Sequence, residues 1–324
     1  MNQAELRSAL VELARQDIGP HLFDEPLARH CTWNIGGPAD LLVAPRGGEQ
    51  IQRVVAFSHR KAIPLVVIGQ GSNLLFADAG LRGVVLKLGS NFARLQIEGR
   101  RIRAEAGVWV PQLARLAARA GLTGLEHTIG IPGTVGGLVL MNGGSQRQAI
   151  GSCVRRVEIL ERDGTAASLT PEQCHFAYRH SALQARGAVV IGLELECRPG
   201  ELRGMRAEML KDLRERRRKF PRKEPNCGSV FLSTSEMHAT VGPPGKIIEQ
   251  AGLKGIRIGG AEVSLRHANF IVNRGGAKAA DVLALIAHIR QVVAARIGFD
   301  LGCEVRYVSA EGQIAPAHIF AGPF

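Results

Sequence analysis

The stretch VVIGQGSNLLF, residues 66–76, sets the first constraint on the fold. Three β-branched residues, Val66-Val67-Ile68, break into Gly69-Gln70-Gly71 and then Ser72-Asn73. Such residues favour a pleated, half-buried surface, and the glycines permit a tight exit from it. Successive N–H groups in a turn of this kind can cradle an anion. No third glycine opens a helix, so this is not the GxGxxG dinucleotide fingerprint. No Gly-Lys-Ser/Thr follows, so it is not a phosphate loop either. A plain strand exit and a phosphate-binding turn both remain open.

On either side lies βαβ grammar. ADLLVAP (39–45) reads as a strand, GEQIQRVVAFSHRKAI (48–63) as a helix and GVVLKL (83–88) as a further strand. Residues 1–19 predict an amphipathic helix with Leu6, Leu10, Leu13 and Ala14 on one face, followed by a loop to Ala39. Beyond Ala93 the pattern changes to hairpins, one turning at Glu98-Gly99 and one at Asp163-Gly164. The helix WVPQLARLAARAG (109–121) and the strand AVVIGLELE (188–196) complete that region. After residue 200 come a charged helix (201–219), CGSVF, the long helix ending at Gly298, a strand DLGCEVRYV (300–308) and a loose tail. The expected class is α+β, with antiparallel strands in the middle region.

Composition narrows the partners. The chain has 324 residues, too many for one ordinary core, and a formal charge of +12. That charge favours acidic partners: nucleic acid, an anionic membrane or a phosphorylated small molecule. Aromatics are only 5%, and no zinc-finger or aromatic RNA-reading pattern is present, which argues against nucleic acid. The six cysteines form no CxxC pair, so neither a structural metal nor a disulfide framework is expected. No apolar run reaches the roughly 20 residues of a membrane span. A cytoplasmic protein is expected.

Four further stretches carry polar chemistry. EHTIGIPGTVGGLVLMNGGS (126–145) clusters Gly130, Gly133, Gly136 and Gly137 around Ile131-Pro132, and Thr134 is placed to cap the short helix that follows. Two glycine-rich turns in neighbouring α/β units point to a dinucleotide pyrophosphate more strongly than either alone. FAYRHSAL (176–183) puts Tyr178-Arg179-His180-Ser181 inside an apolar run, where Arg179 can hold a carboxylate through two hydrogen bonds. Glu304 interrupts the apolar strand near the C-terminus; an ion pair with Arg306 and a functional carboxylate both account for it. In PNCGSVF (225–231), after the basic run RERRRKFPRK, nothing around Ser229 resembles a nucleophile elbow, and Cys227 reads as a small buried hydrophobe.

WNIGGPADLLVAP, IGQGSNLL, GIPGTVGG with MNGG, YRHS, GSVF, GKIIEQAGLKG, HANFIVN and CEVR occur in the order and spacing of one family. In this ordered set the chain resembles the UDP-N-acetylenolpyruvoylglucosamine reductases (MurB), from about residue 27 to 310. The short span between Tyr178 and Ser229 resembles the type II form. The resemblance implies non-covalent FAD in a two-subdomain PCMH (vanillyl-alcohol-oxidase-type) FAD-binding domain, with a smaller α+β substrate-binding domain. It implies segments 1–26 (N-terminal extension), 27–92 and 93–200 (FAD), 201–310 (substrate) and 311–324 (tail). NADPH is the implied reductant and the enolpyruvyl ether of UDP-N-acetylglucosamine the implied substrate, with no nucleic-acid or membrane partner; a monomer is favoured.

By motif position Arg179 matches the arginine that binds the enolpyruvyl carboxylate, Ser229 the proton donor and Glu304 the assisting carboxylate. Gly69, Gln70, Gly71, Ser72 and Asn73, with Gly130, Ile131, Pro132, Gly133, Thr134, Gly136 and Gly137, are the implied cofactor-binding residues. Tyr178, Lys246 and Asn269 are the implied substrate contacts. The chain departs from the family at Phe231-Leu232-Ser233-Thr234, where aromatic-Lys-Asn-Pro is common, and STSEMHATV (233–241) is an extra segment. Two rival readings are an alcohol-oxidising flavoenzyme of the same fold, with His127 as a candidate for covalent flavin attachment, and a nucleic-acid binder.

Overall fold

In the computed structural model, which describes residues 1–322, the expected strand–helix–strand path opens the chain. It runs α1 (Gln3–Ala14), β1 (His21–Pro26), β2 (Pro38–Val43), α2 (Gly48–Arg60), β3 (Leu65–Ile68), β4 (Leu74–Phe76) and β5 (Leu81–Lys87). The middle region holds β6 (Leu95–Glu98), β7 (Arg101–Glu105), α3 (Val110–Arg119), β8 (Leu122–Thr123), α4 (Val135–Leu140), β9 (Val154–Leu160) and β10 (Ala166–Leu169). It closes with α5 (Pro171–Cys174), α6 (Leu183–Arg186), β11 (Val189–Glu196) and β12 (Arg198–Pro199). Then come α7 (Leu202–Lys219), α8 (Ser235–Thr240), α9 (Pro244–Gln250), β13 (Arg257–Ile258), β14 (Ala261–Val263), β15 (Ile271–Asn273), α10 (Ala279–Ile297), β16 (Arg306–Val308) and β17 (Ile314–Pro316).

These elements form two compact units that do not follow chain order. Unit 1 comprises Met1–Phe23, Asp40–Gln70 and Gly83–Arg216; unit 2 comprises Asp24–Ala39, Gly71–Arg82 and Arg217–Phe324. One sheet has the order β1-β2-β5-β3, and unit 1 holds an antiparallel sheet of order β10-β9-β11-β7-β6. β3 and β5 pair in parallel, as the βαβ reading requires. Helix α1 is shorter than expected but starts at a capping box, Asn2 with Glu5. Its Leu6, Leu10 and Leu13 are buried with Leu41, Val43, Ile51 and Phe57. The antiparallel sheet buries Ile102, Val157, Ile159 and Leu193 with Leu113 and Ala117 of α3 and with Val135 and Val139 of α4. In unit 2, β17-β16-β4 and β13-β14-β15 make two three-stranded sheets, and α10 buries Val282, Leu285, Ile286 and Ile289.

The α+β class holds, and both hairpins form. The first turns one residue later than expected, at Gly99-Arg100, because Glu98 already pairs with Arg101. The expected loop before Ala39 contains β1, an edge strand too polar to read as one: HLFDEP alternates only weakly. CGSVF is not a strand; Phe231 makes only an isolated bridge to Cys303. Gly228 at φ +81° lies in the left-handed region and breaks the extended run. Nor does Glu304 lie inside a strand, since β16 begins at Arg306. The tail expected to be loose forms β17, antiparallel to β16; residues 323–324 of that segment lie outside the described residues. STSEMHATV contains α8, whose N-cap Thr234 accepts from Met237 N. Among the described residues no helix is long and apolar enough to cross a membrane.

Candidate active site

Within unit 1 the start of the first glycine-rich turn, Gly69, meets the second. A Cβ on Gly69 would overlap Thr134 Oγ1, so only glycine lets the end of β3 lie this close to the second turn. Thr134 occupies the N-cap position of α4 but makes no side-chain cap there, contrary to the sequence expectation. Gly136 N donates to Ala106 O at 2.8 Å, which docks α4 on the turn after β7. Gly137 faces open space beyond its own helix. The side chain of Arg216 lies across Gly130, where a Cβ would overlap it. A bare glycine backbone beside a guanidinium is what a pyrophosphate needs: N–H donors that can be approached closely, and positive charge. The residues present therefore fit the dinucleotide FAD. His127, next to this turn, is 1% exposed. Burial holds its imidazole below the ordinary value, against the opposing pull of Glu126.

Arg179 sits at the tip of a two-residue turn. Ala177 and His180 exchange backbone hydrogen bonds of 3.0 and 3.1 Å, leaving Tyr178 and Arg179 between them. Arg179 takes φ +53°, a left-handed angle that costs a non-glycine residue about 1–2 kcal/mol. Neighbours hold it there: Arg179 Nη2 donates to Gly144 O at 3.0 Å, and Gln184 Nε2 donates to Arg179 O at 3.1 Å. Ser181 Oγ donates to Leu140 O at 2.6 Å and ties the turn to the end of α4. Tyr178, 60% exposed, lies beneath the guanidinium, 5.5 Å from its ring centroid. The YRHS turn is thus anchored to the glycine-rich segment of unit 1.

Unit 2 carries the other candidates. Gly71 closes the first turn in the left-handed region at φ +61°. Asn73 Nδ2 donates to Glu304 O at 3.2 Å, and Arg306 N donates to Asn73 O at 3.1 Å, so this turn holds the backbone of Glu304. Glu304 N in turn donates to Val230 O at 2.8 Å, which places Glu304 across from the residue that follows Ser229. The structure therefore brings Ser229 and Glu304 onto adjoining backbone segments.

Upstream of Ser229, Asn226 makes a tight local turn. Its Oδ1 accepts from Gly228 N at 2.9 Å, and its Nδ2 donates to Pro221 O and Glu224 O at 2.8 and 2.7 Å. Sequence reading passed over Asn226, although Asn two residues before Gly is an Asx-turn signal. Cys227 is 5% exposed, and its thiol points at Leu74 O at 3.2 Å. Burial, then the neighbouring Cys31, pushes that thiol far up, so it is no nucleophile.

The three implied substrate contacts differ in placement. Tyr178 is exposed on its turn, and Lys246 is exposed in the first turn of α9. Asn269 is buried, and its side-chain amide pairs with the backbone of Phe231. The basic run ends in a backbone contact, Arg266 reaching the carbonyls of Arg217 and Arg218 at the end of α7 at 2.8–3.1 Å.

The chain is similar to known proteins over most of its length. The model for the C-terminal domain of UDP-N-acetylenolpyruvoylglucosamine reductase matches residues 220–308, and that for an FAD binding domain matches residues 39–170. UDP-N-acetylenolpyruvoylglucosamine reductase 1 of Corynebacterium glutamicum is 48% identical over 286 residues, 88% of this chain and 85% of that relative. The enzyme of that name from Heliobacterium modesticaldum is 44% identical over 308 residues, 94% of this chain and 95% of that relative. The crystal structure of UDP-N-acetylenolpyruvylglucosamine reductase (MurB) from Thermus caldophilus is similar with a TM-score of 0.75 and 32% identity, over 89% of this chain and 98% of that one. With nearly the whole chain matched at this level, the protein belongs to the UDP-N-acetylenolpyruvoylglucosamine reductase family.

Proposed function

We propose that the protein reduces the enolpyruvyl ether of UDP-N-acetylglucosamine to UDP-N-acetylmuramate, with NADPH as reductant, in the supply of peptidoglycan precursors. The glycine-rich turns at 69–73 and 130–137 would hold FAD, whose chemistry when bound would be the transfer of hydride from NADPH to C3 of the enolpyruvyl double bond. Residues 27–92 and 93–200 serve the cofactor and residues 201–310 the substrate, with Tyr178 and Lys246 contacting it. The observation that carries the reading is the 2.8 Å bond from Glu304 N to Val230 O, which sets a hydroxyl and a carboxylate on adjoining segments.

The chain's own residues then have defined tasks. Arg179 pairs with the substrate carboxylate and stabilises negative charge as it spreads from C2 onto that group. Ser229 donates its Oγ proton to C2, completing the reduction of the double bond, and regains a proton from solvent. An alcohol is a weak acid, but a carbon-centred enolate is a strong enough base to take its proton. Glu304 polarises the carboxylate or enol during that transfer. The deciding experiment is NADPH oxidation with and without the enolpyruvyl ether. Oxidation that the ether does not accelerate sinks the reading. Bleaching of the flavin by a simple alcohol, without NADPH, would instead favour the alcohol-oxidising alternative.

The glycine-rich contact yields a separate expectation. In Gly69→Ala the new methyl must push Thr134 aside, an overpacking cost of roughly 1–3 kcal/mol. FAD should bind about 5–150-fold more weakly, at 1.4 kcal/mol per tenfold. Flavin-to-protein absorbance after purification and titration of the apoprotein measure this. An unchanged flavin content would show that the contact does not shape the cofactor turn.

A further inference from the structure

Ser229 belongs to no regular strand, yet the backbone just after it is held on both edges. On one edge, Val230 O accepts from Glu304 N at 2.8 Å, and Leu232 N donates to Gly302 O at 2.9 Å. On the other edge a single residue, Asn269, supplies the bonds. Asn269 O accepts from Val230 N at 2.9 Å. Asn269 Oδ1 accepts from Phe231 N at 2.9 Å, and Asn269 Nδ2 donates to Phe231 O at 3.0 Å. The primary amide thus presents one acceptor and one donor to a peptide edge, as the neighbouring strand of a ladder does.

Asn269 is 5% exposed, so water does not compete for these bonds. Its amide is turned to Phe231, not outward to a ligand. Of side chains this size only the amide suits the site, because aspartate would set a carboxylate oxygen against Phe231 O.

We propose that Asn269 is a positioning residue for proton delivery: by pairing with both backbone groups of Phe231 it fixes the segment that carries Ser229 relative to Glu304. This rests on the reading of Ser229 as proton donor. The test is a double-mutant cycle on the FAD-loaded enzyme, with Asn269→Asp alone and in a Ser229→Ala background. Two observables are followed: flavin bleaching by NADPH, and its recovery on adding the ether. A misplacement of about 1 Å costs on the order of 10²-fold in rate, which is the expected loss of recovery rate in Asn269→Asp.

Bleaching should be unaffected, and the dissociation constant of the ether, measured by calorimetry, should stay within about threefold. The solvent deuterium isotope effect on recovery should rise as proton transfer becomes limiting. In the Ser229→Ala background, Asn269→Asp should cost nothing further, because the group it positions is gone. An equal loss in both backgrounds overturns the proposal. So does a dissociation constant that rises as much as the rate falls, which would make Asn269 a substrate contact.

If Asn269→Asp does not fold, Asn269→Ser enters the same cycle; failure of both to fold assigns a purely structural role and also overturns it. If Ser229→Ala alone leaves recovery unchanged, the proton-donor reading itself fails. A slow Ser229→Ala with an additive cycle removes only the role of Asn269.

Discussion

Ser229→Ala should bleach normally with NADPH and recover roughly 10²–10⁴-fold more slowly on adding the enolpyruvyl ether, the range that general acid catalysis contributes. The substitution removes one oxygen from a half-buried position and leaves both neighbouring clamps in place, Asn226 before it and the 230–232 pairing after it. Affinity for the ether should change little, since the hydroxyl acts on C2 only once charge has developed there. Rapid-mixing absorbance of the two half-reactions separates the outcomes. Equal slowing of both would point to a folding or cofactor defect, and no slowing of either would remove Ser229 from the chemistry. Cys227→Ser, two residues upstream, is the contrasting case. Its thiol is buried and held against backbone oxygens, so the loss there should appear in stability rather than in either half-reaction.

Arg179 should show the second large effect, with stability and activity ordered differently. Removing one partner of a charge-assisted pair costs about 2–5 kcal/mol, so kcat/KM for the ether should fall roughly 30-fold to several thousandfold in Arg179→Ala. Arg179→Gly should lose as much activity. It should nevertheless unfold about 1 kcal/mol later than Arg179→Ala, because φ +53° is strained for any residue with a Cβ and free for glycine. Arg179→Lys keeps the charge but not the two-pronged geometry, and should fall between wild type and Arg179→Ala. Denaturant titration alongside steady-state kinetics reads both orders. If Gly and Ala unfold alike, the left-handed angle is not stored strain at the turn.

Much of the fold was readable because its signals are local. The β3 run ending in Gly69-Gln70-Gly71, the α2 periodicity and the Asp163-Gly164 hairpin each depend on residues close in sequence. What was misread depends on distant partners. β1 is an edge strand with polar alternation, and β17 exists because β16 offers an edge to pair with. CGSVF forms no strand because Gly228 breaks the extended run, and its hydrogen bonds go to Asn269 and to 302–304. Asn269 itself drew notice only through the HANFIVN resemblance, because an amide that stands in for a strand leaves no periodic trace.

From the sequence alone came the α+β class, the two glycine-rich turns, the family and the identity of Arg179, Ser229 and Glu304 as candidates, since residue type and ordered spacing are properties of the chain. Only the tertiary structure decided that Gly69 and Thr134 touch, that Arg179 is held in a left-handed turn, and that Val230 joins Ser229 to Glu304. These arrangements rest on contacts between residues tens of positions apart. They form when burial and hydrogen-bond satisfaction select one packing, which local propensity does not encode.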